Sequence, residues 1–193
     1  MIDRELKRSL GQMMHAVQVV GAAHDGREHC YTSHWVSQVS FAEPIVLASV
    51  SPKHDTHPLI VAGGRFSVSL LAGDQIEQGQ YFSYPGHRFR HIGAEYLDCH
   101  DGLPVVRDAI AWLICAVDDR IERYDHDLFL ARVTDAVPGR LKQPPLLYSS
   151  RLGWRIAGGH AREPGESVRD RLLARLEATG VTDVAIADDA TGL

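Results

Sequence analysis

The residues best suited to chemistry form a short polar run, SVSPKHDTHP, over residues 49–58. Its donors include three hydroxyls, from Ser49, Ser51 and Thr56, the fixed positive charge of Lys53 and the imidazole of His54. Hydroxyl and ammonium groups spaced this closely can hold a phosphate through charge-assisted hydrogen bonds. The same composition is typical of a solvated turn. The pattern alone therefore leaves a phosphate site and a plain turn both open.

Other signals of nucleotide, metal or disulfide chemistry are missing from the sequence. Neither GxGxxG nor GxxxxGK[ST] occurs, so a nucleotide would have to be held without a glycine-rich phosphate loop. The eleven histidines do not form HExxH or another recognised metal spacing. Cys30, Cys99 and Cys115 have no CxxC spacing and are predicted to be buried thiols.

Composition describes an ordinary globular chain. Of the 193 residues, 45% are hydrophobic and 23% are charged, enough apolar material for one domain with a real core. The net charge of −5, without a basic stripe, argues against a nucleic-acid partner. Residues 1–14 are too charged for a signal peptide and no later segment reaches membrane-spanning length, so we expect a cytoplasmic protein without a membrane partner.

The apolar patterning predicts more strand than helix. Six or seven strands are predicted at 16–22, 31–41, 44–51 and 65–72, as two long strands within 109–137 around a turn near 124–127, and at 145–156. Helices are predicted at 3–14 as a packing helix capped by Asp3, within 52–64, and from Asp74 to residue 82, followed by a polar loop to about residue 100. The dipeptide Asp25-Gly26 indicates a hairpin.

Strands joined in hairpins, without regular β-α-β alternation, favour a mainly β (α+β) fold built as an antiparallel barrel with a few short peripheral helices. Residues 1–156 are predicted to form this domain. Residues 157–193 are predicted to be a linker and a C-terminal helix with a tail, starting at a capping box of Ser167 and Asp170.

Five blocks in order carry a family resemblance: YTSHWVSQVSF, EPIVLASVSPKHDTHPLI, GRFSVSLLAGDQ, DAIAWLICAVDDRIERYDHDLFLARVTDAV and PPLLYSSRLGWRI. Over roughly residues 8–156 this order resembles the flavin reductase-like, FMN-binding split-barrel family, and the SxWV pattern is similar to its flavoredoxin-like branch. The resemblance implies a Greek-key split β-barrel that forms a homodimer and holds FMN, or FAD, in a cleft at the dimer interface.

The same resemblance implies which residues contact the flavin. The segment matching the flavin-ring strand of the family comprises Thr32, Ser33, His34, Trp35 and Val36, whose hydrogen bonds would tune the reduction potential. The segment matching the ribityl-phosphate contacts comprises Ser49, Val50, Ser51, Lys53 and Thr56. Phe82 matches an aromatic residue after the LLAGDQ block, and Arg88 with Phe89 matches a basic-aromatic pair.

His126 lies in YDHDLF, which resembles a GDHxLF block whose histidine faces the flavin and the nicotinamide. The resemblance implies that His126 is the catalytic residue and positions the substrate or relays a proton. From the sequence alone, a histidine in a hairpin turn beside Asp125 or Asp127 is the competing interpretation. Trp112 is predicted to lie in the core. Tyr148 and Trp154 lie in or just after the block where, by the resemblance, the chain closes near the flavin cleft, which leaves a partial role there open for either residue.

Three functions follow from these patterns. The first is an NAD(P)H:flavin oxidoreductase that transfers hydride to flavin and supplies a separate monooxygenase. The second is a non-enzymatic FMN-binding electron carrier, and the third is a split barrel that binds another planar cofactor such as haem. The sequence does not distinguish NADH from NADPH, because it has no recognisable ribose-reading residue.

Overall fold

The computed structural model describes residues 3–83 and 93–158 of the chain. One unit of mutually packed residues runs as far as Gly158. The predicted linker and C-terminal helix fall almost entirely in residues 159–193, which lie outside the described residues, as does Arg88.

Twelve strands and three α-helices occur in this part of the chain. The strands are β1 His15–Ala16, β2 Gln18–His24, β3 Arg27–Ser33, β4 Val36–Gln38, β5 Ile45–Val50, β6 Arg65–Leu70, β7 Leu97–His100, β8 Leu103–Val106, β9 Ala111–Arg123, β10 His126–Pro138, β11 Leu146–Ser149 and β12 Gly153–Ile156. The helices are α1 Arg4–Leu10, α2 Thr56–Gly63 and α3 Ile76–Tyr81, with a 3-10 turn at Gly93–Tyr96.

Seven strands form one antiparallel sheet in the order β3-β2-β6-β9-β10-β5-β4. Its two edge strands, β3 and β4, are consecutive in the chain and only His34 and Trp35 connect them. Two residues span a short distance, so the two edges must lie near each other and the sheet must curl. This curled antiparallel sheet confirms the predicted split barrel, whose seam lies at His34 and Trp35.

The core agrees with this curl. Val20 on β2 and Val50 on β5 belong to one buried cluster although three strands separate β2 from β5 in the sheet. Ile60 of α2 and Phe129 of β10 fill the space between them, each with at most 1% of its surface exposed. Register shifts between Leu130 and Ala131, and again after Val133, interrupt the β9–β10 pairing, and such bulges bend long strands.

Local chemistry explains the β2–β3 hairpin. Asp25 and Gly26 have φ angles of +49° and +72°, the left-handed pair that a tight two-residue hairpin turn requires. The turn sets the register in which Val20 pairs with Tyr31 and Gln18 pairs with Ser33. The predicted hairpin is confirmed.

Several sequence predictions were wrong in detail. The strand count was low because β7 and β8 lie where a polar loop was predicted, and because β1 precedes β2 as a separate strand. In addition, the segments 31–41 and 145–156 were each predicted as one strand, but the first contains the end of β3 and all of β4, and the second contains β11 and β12. The predicted packing helix stops at Leu10, and none of its residues is buried although Asp3 caps it through the Glu5 and Leu6 N–H groups. Cys30 and Cys115 are buried as predicted, but Cys99 is exposed.

Three further strands form a second sheet next to the seam. β1 pairs with β11 and β11 pairs with β12 in a small antiparallel sheet. His15 lies opposite Tyr148 in this sheet, next to the connection between β3 and β4. Among the described residues, no helix is long and apolar enough to cross a membrane.

Candidate functional site

An open groove of about 370 Å³ lies at the seam of the barrel. It is lined by the segment between α1 and β1, by β1, by the β3–β4 connection, and by β4 and β5. The lining residues are Met14, His15, Ala16, His34, Trp35, Val36, Ser37, Leu47 and Ser49. Four of these residues, His34, Trp35, Val36 and Ser49, are predicted flavin contacts. The groove therefore brings together residues from both predicted contact segments.

His34 is held in the groove wall by aromatic rings. Its imidazole stacks on Tyr148 with ring centroids 4.3 Å apart and meets Trp154 edge-on at 6.1 Å. Its Nε2 atom is buried and has no hydrogen-bond partner among the described residues. Burial, with a smaller contribution from repulsion by His15, lowers the pKa of His34 to about 4. His34 is therefore neutral near pH 7, with one buried ring nitrogen unpaired.

Trp35 and His126 form the second aromatic pair at the groove. The Trp35 side chain is 52% exposed, and its ring meets the His126 ring at 4.9 Å and 68°. The Trp35 carbonyl accepts a hydrogen bond from the Ser49 N–H group at 3.0 Å, which ties the seam to β5. His126 Nδ1 lies 3.0 Å from Asp125 Oδ1. The structure thus places His126 beside the ring-contacting segment, and its catalytic role stays a prediction.

The polar loop after β5 is an ordered turn. The buried Ser51 accepts the Lys53 N–H group through Oγ at 3.4 Å and the His54 N–H group through its carbonyl at 3.0 Å. The His54 ring stacks on Tyr31 with centroids 4.3 Å apart. Burial, followed by repulsion from neighbouring histidines including His126, lowers the pKa of His54. The turn leaves Lys53 exposed.

The remaining predicted flavin contacts in the described residues form hydrogen bonds within the protein or are buried in its core. The Thr32 hydroxyl donates to the Gly79 carbonyl at 2.7 Å, and Ser33 Oγ accepts the Trp35 N–H group at 3.2 Å. The buried Thr56 hydroxyl lies 2.7 Å from His29 Nδ1, so this hydroxyl is already engaged. Val50 and Phe82 are buried in the two main core clusters. As flavin contacts, these five residues stay predictions.

Comparison with known families identifies the chain. Residues 10–152 match the family model described as "Flavin reductase like domain". This protein belongs to the flavin reductase-like family. The sequence-based recognition and the prediction of a flavin reductase-like enzyme are thereby confirmed.

Relatives of this flavin reductase-like protein carry consistent names. It is 33% identical over 129 residues to the NADH-dependent flavin reductase StyB of Pseudomonas fluorescens, covering 66% of this chain and 74% of StyB. It is 30% identical over 150 residues to the reductase component of a 4-nitrophenol and 4-nitrocatechol monooxygenase of Rhodococcus opacus, covering 77% of this chain and 79% of that protein. The solved structure of the flavin reductase PheA2 superposes with a TM-score of 0.69 at 26% identity, over 82% of this chain and all of PheA2.

The groove of this flavin reductase-like chain fits a flavin chemically. Met14, Val36 and Leu47 supply apolar surface for a planar ring system. The unpaired Nε2 of His34 supplies a buried polar atom that a heteroaromatic edge can satisfy. Ser49 on β5 supplies a hydroxyl, and the adjacent loop adds the Ser51 hydroxyl and the Lys53 ammonium group, which suit a phosphate. The residues present therefore match both ends of a flavin nucleotide.

Sequence reasoning did not single out five groove residues: Met14, His15, Ala16, Ser37 and Leu47. β1 is two residues long, so it has no periodicity to detect, and it joins the groove only through pairing with β11. Ser37 and Leu47 face each other across β4 and β5. Their place in the groove depends on the β4–β5 register, which the sequence pattern did not predict.

Proposed function

We propose that this flavin reductase-like oxidoreductase transfers hydride from NADH to FMN. The observation that carries the proposal is the seam groove, whose wall contains neutral His34 and exposed Trp35 and whose Ser49 leads into the polar loop that holds Lys53. The ring of His126 contacts the ring of Trp35. The name of StyB, an NADH-dependent flavin reductase, supports NADH as the donor. The phosphate-compatible loop supports a flavin nucleotide in preference to riboflavin, and FMN is the simplest such nucleotide.

The groove residues would bind and orient the reactants. A bound flavin supplies the hydride acceptor, and the reduced nicotinamide supplies the hydride. Val36 and Leu47 exclude water from one side of the ring site. Neutral His34 carries a single ring proton, so it can satisfy one polar flavin atom without adding a positive charge.

His126 is proposed to hold a proton and to position the nicotinamide. An ionised Asp125 carboxylate accepts hydrogen bonds only, so His126 donates to it through Nδ1. The hydrogen bond from His126, with a contribution from the charge of Lys53, keeps the pKa of Asp125 below its usual value. This pairing fixes the ring of His126 against Trp35 and leaves Nε2 for the reacting groups.

The phosphate would be held by the turn after β5. Lys53 is exposed in this turn. The Ser51 hydroxyl oxygen accepts the Lys53 N–H group and so orders the backbone at Lys53. A charge-assisted contact from Lys53 contributes most to such a site, because the bond involves two full charges. Ser49 reaches the groove from the strand that leads into the turn.

Reduced flavin is proposed to pass to a separate monooxygenase. The groove is open along one side, and Trp35 in its wall is half exposed, so the site has an exit for product. The relative from Rhodococcus opacus is named as the reductase component of a monooxygenase. A system of this kind needs a reductase that releases its product.

A homodimer is part of the same proposal. Large apolar side chains are half or more exposed in the segments that enter β1 and leave β4, namely Leu10, Met13, Val39 and Phe41. Trp35 adds to this apolar surface at the groove itself. A second copy covering these segments would bury them and narrow the groove.

The proposal is tested by steady-state oxidation of NADH and NADPH with FMN, FAD and riboflavin as acceptors, using purified protein and the same flavins without protein. We expect protein-dependent NADH oxidation, fastest with FMN. Tight flavin binding without oxidation of either nicotinamide would contradict the reductase and favour the electron carrier. Light scattering on the same sample tests the homodimer, which a monomer mass in the presence of FMN would refute.

A further inference from the structure

A buried carboxylate on β10 gathers three hydrogen bonds on one oxygen. Asp127 is 6% exposed, and its Oδ2 atom lies 2.6 Å from His57 Nε2. The same Oδ2 accepts the Arg120 Nε and Nη2 groups at 2.9 and 2.7 Å. The cluster therefore joins three elements, β9, β10 and the first turn of α2.

The charges of this cluster are matched. Burial raises the pKa of Asp127, but the hydrogen bonds from His57 and Arg120 outweigh it, so the pKa lies below its usual value. The carboxylate is then ionised near pH 7 and accepts only, which makes His57 the donor through Nε2. Arg120 also bonds Glu122, and both the Arg120 guanidinium and the His57 ring pack against Phe129.

Asp127 contacts the residues at both ends of the polar loop. On one side its backbone pairs with Val50, the last residue of β5 before the loop. On the other side its carboxylate holds His57, which follows the loop in the first turn of α2. The residues between these two anchors are Ser51, Pro52, Lys53, His54, Asp55 and Thr56. Asp127 also directly follows His126 in the chain.

We propose that Asp127 is a positioning residue for the flavin phosphate. It acts through His57 and the backbone of Val50, which together set where Ser51 and Lys53 stand relative to His126. The inference rests on the proposed function, since it assumes that the loop meets the phosphate. It assigns to a residue outside the groove the preference for a phosphorylated flavin.

The test compares FMN with riboflavin, which has the same ring and ribityl chain without the phosphate. Dissociation constants for both are measured by flavin fluorescence on the full-length protein, without nicotinamide. In Asp127→Leu we expect FMN binding to weaken about tenfold or more, the effect of losing one charge-assisted contact, and riboflavin binding to stay within about twofold. Asp127→Asn, which keeps an acceptor oxygen, is expected to fall between the wild-type protein and Asp127→Leu.

Val105→Ala is the matched control, because it removes buried side-chain volume on β8 from the core cluster of Leu103, Val105 and Ile114, which is separate from the cluster that holds Ile60 of α2 and Phe129 of β10. It should leave the ratio of FMN to riboflavin affinity unchanged. If Asp127→Leu does not fold, the ratio of FMN to riboflavin affinity is measured for Asp127→Asn and His57→Gln in its place.

The inference would be overturned by equal weakening of FMN and riboflavin binding, which marks a general structural role, or by no weakening of either. A wild-type protein that binds FMN and riboflavin equally also overturns it, while leaving the reductase function intact. Failure of the reductase function itself would appear as absent NADH oxidation, which this binding assay does not use.

Discussion

Replacing His34 should remove a specific part of the acid sensitivity of folding. The His34 imidazole is neutral in the fold, with its pKa lowered to about 4 mainly by burial, whereas the pKa of a histidine in the unfolded chain is near its ordinary value of 6.5. Between these two values the unfolded chain binds a proton that the folded chain does not. The stability associated with His34 is therefore complete above about pH 6.5 and is lost as the pH falls toward 4.

The size of the effect follows from the same two values. At pH 5 the full shift corresponds to a loss of about 2 kcal/mol in the free energy of unfolding relative to pH 7. Because His34 is only partly buried, solvent screening reduces this figure, and we expect about 1 kcal/mol. Asn at position 34 has no titrating group in this range, so His34→Asn should lose about 1 kcal/mol less than the wild-type protein over the same pH change.

Urea denaturation at pH 7 and pH 5 measures the effect, since the other titrating groups are common to both proteins and cancel in the comparison. Tyr148→Phe is the control, because it keeps the ring that stacks on His34 and should keep the wild-type pH dependence. If wild-type and His34→Asn proteins lose the same stability between pH 7 and pH 5, the assignment of a buried neutral imidazole is refuted.

Three further predictions concern the site and the fold. His126→Asn should lower kcat/KM for NADH about tenfold or more, whereas His100→Asn, which removes a histidine with the same kind of aspartate and tryptophan neighbours outside the groove, should not; equal effects would contradict the role of His126. Lys53→Ala should raise the dissociation constant of FMN about tenfold, and salt should weaken the wild-type affinity more than that of the variant; an unchanged constant would place the phosphate elsewhere. Gly21→Ala should destabilise the fold by about 1–3 kcal/mol, because the added Cβ would come within 2.4 Å of the Pro104 carbonyl oxygen. A melting temperature equal to that of the wild-type protein would contradict this packing.

Local signals predicted the parts of the fold that are determined locally. Asp25-Gly26 indicated the β2–β3 hairpin because its left-handed conformation suits few other residue pairs. The alternation in 109–137 indicated β9 and β10, which are long enough for the period to be clear. The hairpin pattern indicated an antiparallel barrel, and the family resemblance added its split, Greek-key form.

The candidate site was predicted only where one continuous segment forms it. His34, Trp35 and Val36 were found because they lie together in a conspicuous stretch at the seam. His15 and Tyr148 meet His34 only through the β1–β11 pairing, a contact between segments more than a hundred residues apart. The role of Asp127 depends on His57 and Arg120 reaching one oxygen, a geometry that residue spacing does not reveal.

The most direct test of flavin reduction by this protein is an anaerobic titration of the FMN-loaded protein with NADH, followed by NADPH, while the absorbance of the oxidised flavin is recorded. We expect NADH to bleach this absorbance rapidly and stoichiometrically, much faster than it bleaches free FMN. Bound FMN that keeps its oxidised spectrum with both nicotinamides would contradict the proposed hydride transfer.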